Sequence, residues 1–278
     1  MTEAAGVQTN EVERRRWNDA YWSTVWPRRE QLTNAVTEIL LEHLRLQVGE
    51  RVLDVGSGGG LTSIEAGRLV GATGSVLGAD ISEALVDLSR HRVEERGVIN
   101  VDFVVADVQH DRFERAPFDV AMSQFGVMFF DEPAVAFRNI LNHVTAGGRL
   151  GFACWQPIDR NAWHIGNAIG PYLPSPPTLA PGKSSTSPFS LDDPVRTAGL
   201  LESVGWSEVI CTTYEKTVVV ERDAIVDDDQ PSFMGVSDVD LEKARASLER
   251  HLAGLRRIDG RFDAPIAFQI VTASRPRT

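Results

Sequence analysis

Arg51-Val-Leu-Asp-Val-Gly-Ser-Gly-Gly-Gly60 is the stretch that decides the fold. Its first five residues form a short apolar run rich in β-branched side chains, the pattern of a strand covered on both faces. Gly56, Gly58 and Gly60 follow, and then a helical pattern over Leu61–Val70. Glycines at such a junction let the backbone turn sharply and approach a ligand closely, with the helix's first amides exposed. The dinucleotide fingerprint spaces its glycines as G-x-G-x-x-G, but Leu61 stands in the third glycine's place. The pattern present is Asp54-x-Gly56-x-Gly58-x-Gly60, with an acid two residues before the first glycine.

Outward from this turn, short apolar runs alternate with amphipathic ones. Strands are expected at Arg51–Val55, Ser75–Asp80, Val101–Ala106, Phe118–Ser123 and Arg149–Trp155, and helices at Leu61–Val70, Glu83–Arg96 and Glu132–Val144. Such alternation indicates a parallel sheet with helices on both faces. Gly147-Gly148 is expected to close the last of these helices and turn into the fifth strand. Further on, Asp193–Val204 reads as a helix and Glu208–Val220 as a long strand. Leu241, Ala244, Leu248, Leu252 and Leu255 mark another helix face, and Ala267–Ala273 a last strand. Before the core, Glu11 to Trp26 forms a helix carrying Trp17, Tyr21 and Trp22 on one side, either an aromatic stripe on the core or a lid over a ligand. Pro27 resets the chain, and Leu32, Val36, Ile39, Leu40, His43 and Leu44 give the apolar face of a second helix.

Two more acids fall in register with the glycine turn. The second strand ends in Asp80 and the third in Asp107. Open α/β sheets bind ligands at the carboxyl ends of their strands. An acid at the second strand's tip can accept hydrogen bonds from both hydroxyls of a ribose and leaves no room for a 2′-phosphate; one at the third can accept from an exocyclic amine such as that of adenine.

Composition narrows the partners. Lys plus Arg is 28 against 39 for Asp plus Glu, a net charge of −11, which disfavours a grip on nucleic acid or on an anionic membrane. No run reaches the roughly 18 apolar residues of a membrane span, and the first residues lack the pattern of a signal peptide. Cys154 and Cys211 are too few for a disulfide framework and have no metal-ligand spacing; both read as buried free thiols. A cytoplasmic, globular protein is expected.

These pieces together resemble the class I S-adenosylmethionine-dependent methyltransferases. The resemblance is carried by Val52-Leu-Asp-Val-Gly-Ser-Gly-Gly-Gly60, Val76-Leu-Gly-Ala-Asp-Ile-Ser82, Val105-Ala-Asp-Val-Gln109, Phe118-Asp-Val-Ala-Met-Ser-Gln-Phe-Gly-Val-Met-Phe-Phe130 and Ala146-Gly-Gly-Arg-Leu-Gly-Phe-Ala-Cys-Trp155. Within the class they resemble the quinone-biosynthesis-like branch of small-molecule methyltransferases, strongly over residues 28–156 and more loosely beyond. The resemblance implies a Rossmann-like three-layer α/β sandwich, a mostly parallel seven-stranded sheet of order 3-2-1-4-5-7-6 with the last strand antiparallel. It also implies S-adenosyl-L-methionine as cofactor. Gly56, Ser57 and Gly58, with Gly60 completing the turn, would cradle its methionine part, and Asp54 would orient the amino group. Asp80 would hold the ribose, Ile81 would cover the adenine, and Asp107 would bind the adenine amine beside Ala106 and Val108. Gln124 and Phe125 would face the methionine part and the substrate.

The acceptor side is thinner in signal. His43, His91, His143 and His251 fall within helix patterns and read as scaffold or surface; His110 follows the third strand on the ligand edge. His164, in Asn161-Ala-Trp-His164 after the fifth strand, is the candidate general base, with a wall or capping role as its alternative. Trp17, Tyr21, Trp22, Phe129, Trp155 and Trp163 are candidate substrate residues for a flat apolar acceptor, or else ordinary core. Ser123-Gln-Phe-Gly126 stands where the family's amide- and nucleobase-methylating members carry Asn-x-Pro-Phe/Tyr, which disfavours that chemistry. No metal site is expected.

The organisation expected is one methyltransferase domain over 1–278: N-terminal helices or lid at 1–47, cofactor core at 48–156, a substrate-side, Pro-rich loop within 157–192, and edge strands at 193–278 interrupted by a helical cap at 221–262. The activity expected is methyl transfer to a small hydrophobic or aromatic acceptor, on oxygen or carbon, by a monomer or homodimer. Two alternatives stay open: a cofactor-binding fold turned to non-methyl catalysis or regulation, and a nicotinamide oxidoreductase, against which Leu61 speaks.

Overall fold

The computed structural model describes residues 10–174 and 186–277. The expected frayed tail and the centre of the Pro-rich loop lie outside the described residues. Among these residues seven strands make one sheet: β1 Arg51–Val55, β2 Ser75–Asp80, β3 Val101–Val105, β4 Phe118–Gln124, β5 Val144–Trp155, β6 Ser207–Val220 and β7 Phe262–Ser274. Their order is β3-β2-β1-β4-β5-β7-β6. β1 to β5 run parallel, and β7 is antiparallel to both β5 and β6.

Among the described residues ten α-helices accompany the strands: α1 Glu11–Trp17, α2 Ala20–Leu44, α3 Leu61–Val70, α4 Glu83–Arg96, α5 Pro133–His143, α6 Gly166–Ile169, α7 Pro194–Ser203, α8 Arg222–Ile225, α9 Gln230–Phe233 and α10 Leu241–Ala253. The parallel strands are short and buried on both faces, Val52, Leu53, Val76, Val120 and Ala121 being essentially inaccessible, as helices on both sides require. Asp119, at the start of β4, accepts the Arg51 N–H at 2.9 Å and ties the strand starts together.

Four expectations are corrected. The N-terminal break falls at Asn18-Asp19, where the Asp19 side chain caps α2 by accepting the Tyr21 N–H, and α2 runs straight through Pro27. A proline inside a helix removes one backbone hydrogen bond and crowds the carbonyl four residues back, a cost of about 3 kcal/mol that packing has to offset. The apolar face from Val25 to Leu44 buries against the sheet on both sides of it and holds the helix together. β5 begins at Val144 rather than Arg149, takes in Gly147-Gly148, and shifts register against β4 between Phe118 and Val120. β7 is nearly twice the expected length: its pairing with β5 begins only at Phe268, so at Pro265 it has β6 as its single neighbour and a free side on which the missing N–H is tolerated. Cys154 is buried, but Cys211 is only half-buried, since β6 is that exposed edge strand.

Between β6 and β7 the chain folds α8, α9 and α10 over the carboxyl end of the sheet. α10 packs on α6, with Ser247 donating to the Ala168 carbonyl at 2.9 Å and the His251 ring bonded to the Ala162 carbonyl at 2.6 Å. α8 packs on α2. Among the described residues no helix is long and apolar enough to cross a membrane.

Candidate functional site

The glycine turn is built by contacts that exclude side chains. Gly56, Gly58 and Gly60 all take positive φ, 67°, 53° and 82°, a region costly to any residue with a Cβ. A Cβ on Gly56 would lie 2.7 Å from the Gly126 Cα, and one on Gly58 would run into the Trp26 ring. Below the turn, Asp54 is fully buried. Its Oδ2 accepts the Ser63 hydroxyl at 2.6 Å, while its Oδ1 has no partner among the described residues; the Ser57 hydroxyl is likewise buried and unpartnered. Burial, with the nearby Asp80 charge adding to it against the Ser63 hydrogen bond, pushes the Asp54 carboxyl up to about 7.

Asp80 binds the turn to its own strand tip. Its Oδ2 accepts the Gly58 N–H at 2.8 Å and its Oδ1 the Ser82 N–H at 2.9 Å. Burial raises its pKa, and those backbone donors work in the opposite direction. At the third strand's tip, Asp107 is buried and accepts the Gln109 N–H at 3.0 Å and the Asn10 N–H at 3.1 Å. The N-terminal helix is thus latched over both tips. Asn18 donates to the Ile81 carbonyl and accepts the Glu83 N–H, and the Ser82 hydroxyl donates to the Trp17 carbonyl.

The fourth strand ends in a distorted step. Phe125 has φ 63°, uncommon for a bulky residue and a mark of local constraint. Its ring stacks on Trp155 at 3.9 Å and 12°, and Trp155 meets Trp163 at 5.1 Å. Gln124 is held in place by α2 and α3, its Oε1 accepting the Thr37 hydroxyl at 2.9 Å and its Nε2 donating to the Thr33 carbonyl.

These tips open into one cavity of about 530 Å³. Gly56, Asp80, Ile81, Ala106, Asp107, Val108, Gln124 and Phe125 line it, together with Trp17, Trp22, Phe129, Trp155, Trp163 and His164. Asp54, Ser57, Gly58 and Gly60 lie behind the wall, and Gly58 and Gly59 are roofed by Trp26. Tyr21, expected among the substrate residues, does not line the cavity. It stacks on Phe233 of α9 at 4.5 Å and its hydroxyl donates to Asp227 at 2.6 Å; burial, with that hydrogen bond adding to it, pushes its pKa up to about 12.

His164 sits between Trp163 and Phe189. Its Nδ1 accepts the Gly166 N–H at 3.1 Å, so the neutral ring carries its proton on Nε2. Burial, helped by the Arg29 charge, pushes its pKa down to about 4. At neutral pH it is a hydrogen-bond donor to the cavity, poorly arranged to remove a proton. The loop that carries it is fastened by Asn161, which is fully buried. Asn161 donates to the carbonyls of Gln156 and Ala267 and accepts the Ala267 N–H and the Trp163 indole N–H, each at 2.9–3.0 Å.

The continuous α2 supplies a wall that the expected break at Pro27 concealed. Trp22, Trp26, Arg29 and Thr33 recur at helical spacing and all line the cavity. Glu30 accepts the Trp26 indole at 2.8 Å and pairs with Arg92 at 2.7 Å, and Arg92 also donates to the Gly59 carbonyl. This nearly buried network fixes Trp26 above the glycine turn. Arg29 donates to the carbonyls of Ala224 and Ile225 and to Gln230, joining α2 to the cap. The spacing of Trp22, Trp26 and Arg29 was the signal available in the sequence for this wall.

Comparison with known proteins adds the following. Residues 52–148 match the methyltransferase domain family. Over 112 residues the chain is 34% identical to the aklanonic acid methyltransferase DauC of Streptomyces sp. (strain C5), covering 40% of this chain and 50% of that one. It is 38% identical over 106 residues to the ubiquinone/menaquinone biosynthesis C-methyltransferase UbiE of Pseudomonas putida, covering 38% of this chain and 41% of that one. The matches span half or less of these curated relatives' length. The fold is also that of a phosphoethanolamine N-methyltransferase from Haemonchus contortus solved with S-adenosyl-L-methionine, at TM-score 0.61 and 15% identity, covering 98% of this chain and 61% of that one.

Proposed function

We propose that this chain is a class I S-adenosylmethionine-dependent methyltransferase, in keeping with the matched domain and relatives, and that it methylates a small, flat, hydrophobic acceptor on oxygen or carbon. One observation carries the acceptor reading. The cavity that begins at the glycine turn and the acids Asp80 and Asp107 continues without a partition into a wall of Phe125, Phe129, Trp155 and Trp163.

The residues present fit the cofactor. The two buried orphan atoms, Asp54 Oδ1 and Ser57 Oγ, lie at the glycine turn where the amino-acid end of the cofactor would be received. Asp54, behind the wall, would reach its ammonium through water, Asp80 would meet its ribose, and Ile81, Ala106, Asp107 and Val108 its adenine. The bound cofactor supplies an activated methyl group on a sulfonium. The protein's part is alignment and the exclusion of water. α1 and α2, latched to Ile81, Ser82 and Asp107, provide one cover, and the cap helices α8–α10 the other.

DauC and UbiE are named for aklanonic acid and for ubiquinone and menaquinone biosynthesis, and a small-molecule acceptor for this chain agrees with both names. The whole of 1–278 is read as one methyltransferase domain, with 1–47 and the 221–262 cap covering the site. The two free thiols accord with a cytoplasmic setting. The test is transfer of isotope-labelled methyl to a metabolite extract of the source cells, with the product identified by mass. A labelled hydrophobic small molecule is expected. Label only in protein or nucleic acid, or in no product, contradicts the reading.

A further inference from the structure

The cavity wall made by α2, α9 and the loop after β5 is apolar apart from a few polar atoms, and those left without partners are donors. The Trp22 indole N–H and the Arg29 Nε–H are buried and unpartnered among the described residues. His164, whose Nδ1 is taken by the Gly166 N–H, offers Nε2–H. All three residues line the cavity, and Arg29 lies close enough to His164 for its charge to be felt there. The four carboxylates that line the same cavity are already engaged: Glu13 by Trp17 and Arg16, Glu30 by Arg92 and Trp26, and, at the strand tips, Asp80 and Asp107 by backbone N–H groups. Arg29 is only partly neutralised, its partner Asp227 standing at 3.4 Å and shared with Tyr21.

Buried donors left unsatisfied are destabilising, and their cost is recovered when an acceptor arrives. Charge-assisted hydrogen bonds in a low-dielectric site are the strong ones. Resting on the methyltransferase reading above, we propose that the acceptor binds as an anion. Its ionised group shares charge over two oxygens, as a carboxylate or vinylogous carboxylate does, and is held by Trp22, Arg29 and His164.

One oxygen takes the donors and the other is left to react. A lone pair on that second oxygen forms the new bond to the methyl carbon, and the S–C bond breaks with its electron pair going to sulfur. The anion's negative charge and the sulfonium's positive charge cancel, giving a neutral ester and a neutral thioether. No proton leaves, so no base is needed. That agrees with a His164 already holding its proton on Nε2.

The experiment is a binding titration of the full chain, saturated with S-adenosylhomocysteine, against three flat probes: 2-naphthoate, 2-naphthamide and 2-naphthylmethylamine. Binding of S-adenosylhomocysteine is measured first and by itself; its absence refutes the methyltransferase reading rather than this one. The naphthoate is expected to bind about tenfold or more tighter than the amide, with the amine weakest. Arg29→Gln is expected to erase the preference while S-adenosylhomocysteine still binds. Trp22→Phe, which keeps the ring and removes only the N–H, is expected to reduce it about threefold. Equal affinity for acid and amide, tighter binding of the amine, or no binding of any probe to the S-adenosylhomocysteine complex overturns the proposal.

Discussion

The two ends of the cavity are made in different ways. At one end, Asp54, Gly56, Asp80 and Asp107 sit at the tips of adjacent parallel strands, each within a few residues of the strand that aims it. At the other, Trp22 and Arg29 come from α2, Trp155 from β5, His164 from the following loop and Phe233 from the cap, brought together across most of the chain. The first end is polar and tied by backbone hydrogen bonds. The second is aromatic, and its geometry depends on how separate elements pack. A local motif therefore specifies the first, whereas the second can change its ligand by substituting wall residues without disturbing the sheet.

If that contrast is right, substitutions at the strand tips disturb fold and cofactor together, and those on the far wall spare the cofactor. The largest effect is expected at the turn itself. Gly56→Val places a Cβ against the Gly126 backbone at a positive φ. It should cost about 3 kcal/mol or more by chemical denaturation, and S-adenosylhomocysteine binding with it. A variant of unchanged stability that still binds would break the contrast.

On the other side, Asn161→Ala strips partners from buried groups of β5, β7 and Trp163. A loss of roughly 2 kcal/mol is expected, with S-adenosylhomocysteine affinity held within about twofold. Coupled loss of both would show that the two ends are not separable.

Asp80→Asn keeps one acceptor, sets its NH2 against the backbone N–H that the other oxygen had taken, and removes the charge proposed to meet a ribose. Calorimetry should find S-adenosylhomocysteine bound about tenfold more weakly, close to 1.4 kcal/mol, in a protein destabilised by about 1 kcal/mol. Unchanged affinity would remove the ribose role from Asp80.

A pH dependence probes the same end of the cavity with no substitution at all. The Asp54 carboxyl is raised from 3.8 to about 7 in the folded chain. The folded state therefore keeps a proton that the unfolded state has lost, and the stability this contributes is full below the unfolded pKa and fades as pH rises towards 7. An arriving ammonium favours the ionised form, so S-adenosylhomocysteine affinity should climb over the same window. Both slopes should flatten in Asp54→Asn. Slopes that persist in that variant would assign the titration to another group.

The contrast also explains what could be read in the sequence. The strand order and the residues at the strand tips were legible because each depends on residues close to one another in the chain, such as Val52–Gly60 or Val76–Ser82. The far wall was only partly legible. Trp155, Trp163 and His164 could be placed because they follow β5 directly. Arg29 and Trp26 could not, since reading Pro27 as a break hid the helical spacing that unites them with Trp22, and only packing against the sheet and α8 keeps α2 whole. Tyr21 was misplaced because the helix was read as unbroken from Glu11 to Trp26. A break at Asn18-Asp19 turns it towards α9, where Asp227 and Phe233 hold it. The role of His164 could not be read at all, because it depends on which ring nitrogen the Gly166 N–H occupies.

The central claim, that the glycine turn and the acids Asp54, Asp80 and Asp107 form an S-adenosylmethionine site opening onto an aromatic pocket, is tested most directly by calorimetric titration with S-adenosylhomocysteine. One saturable site with a Kd below about 100 μM is the result predicted. No binding at that concentration by a folded protein would contradict it.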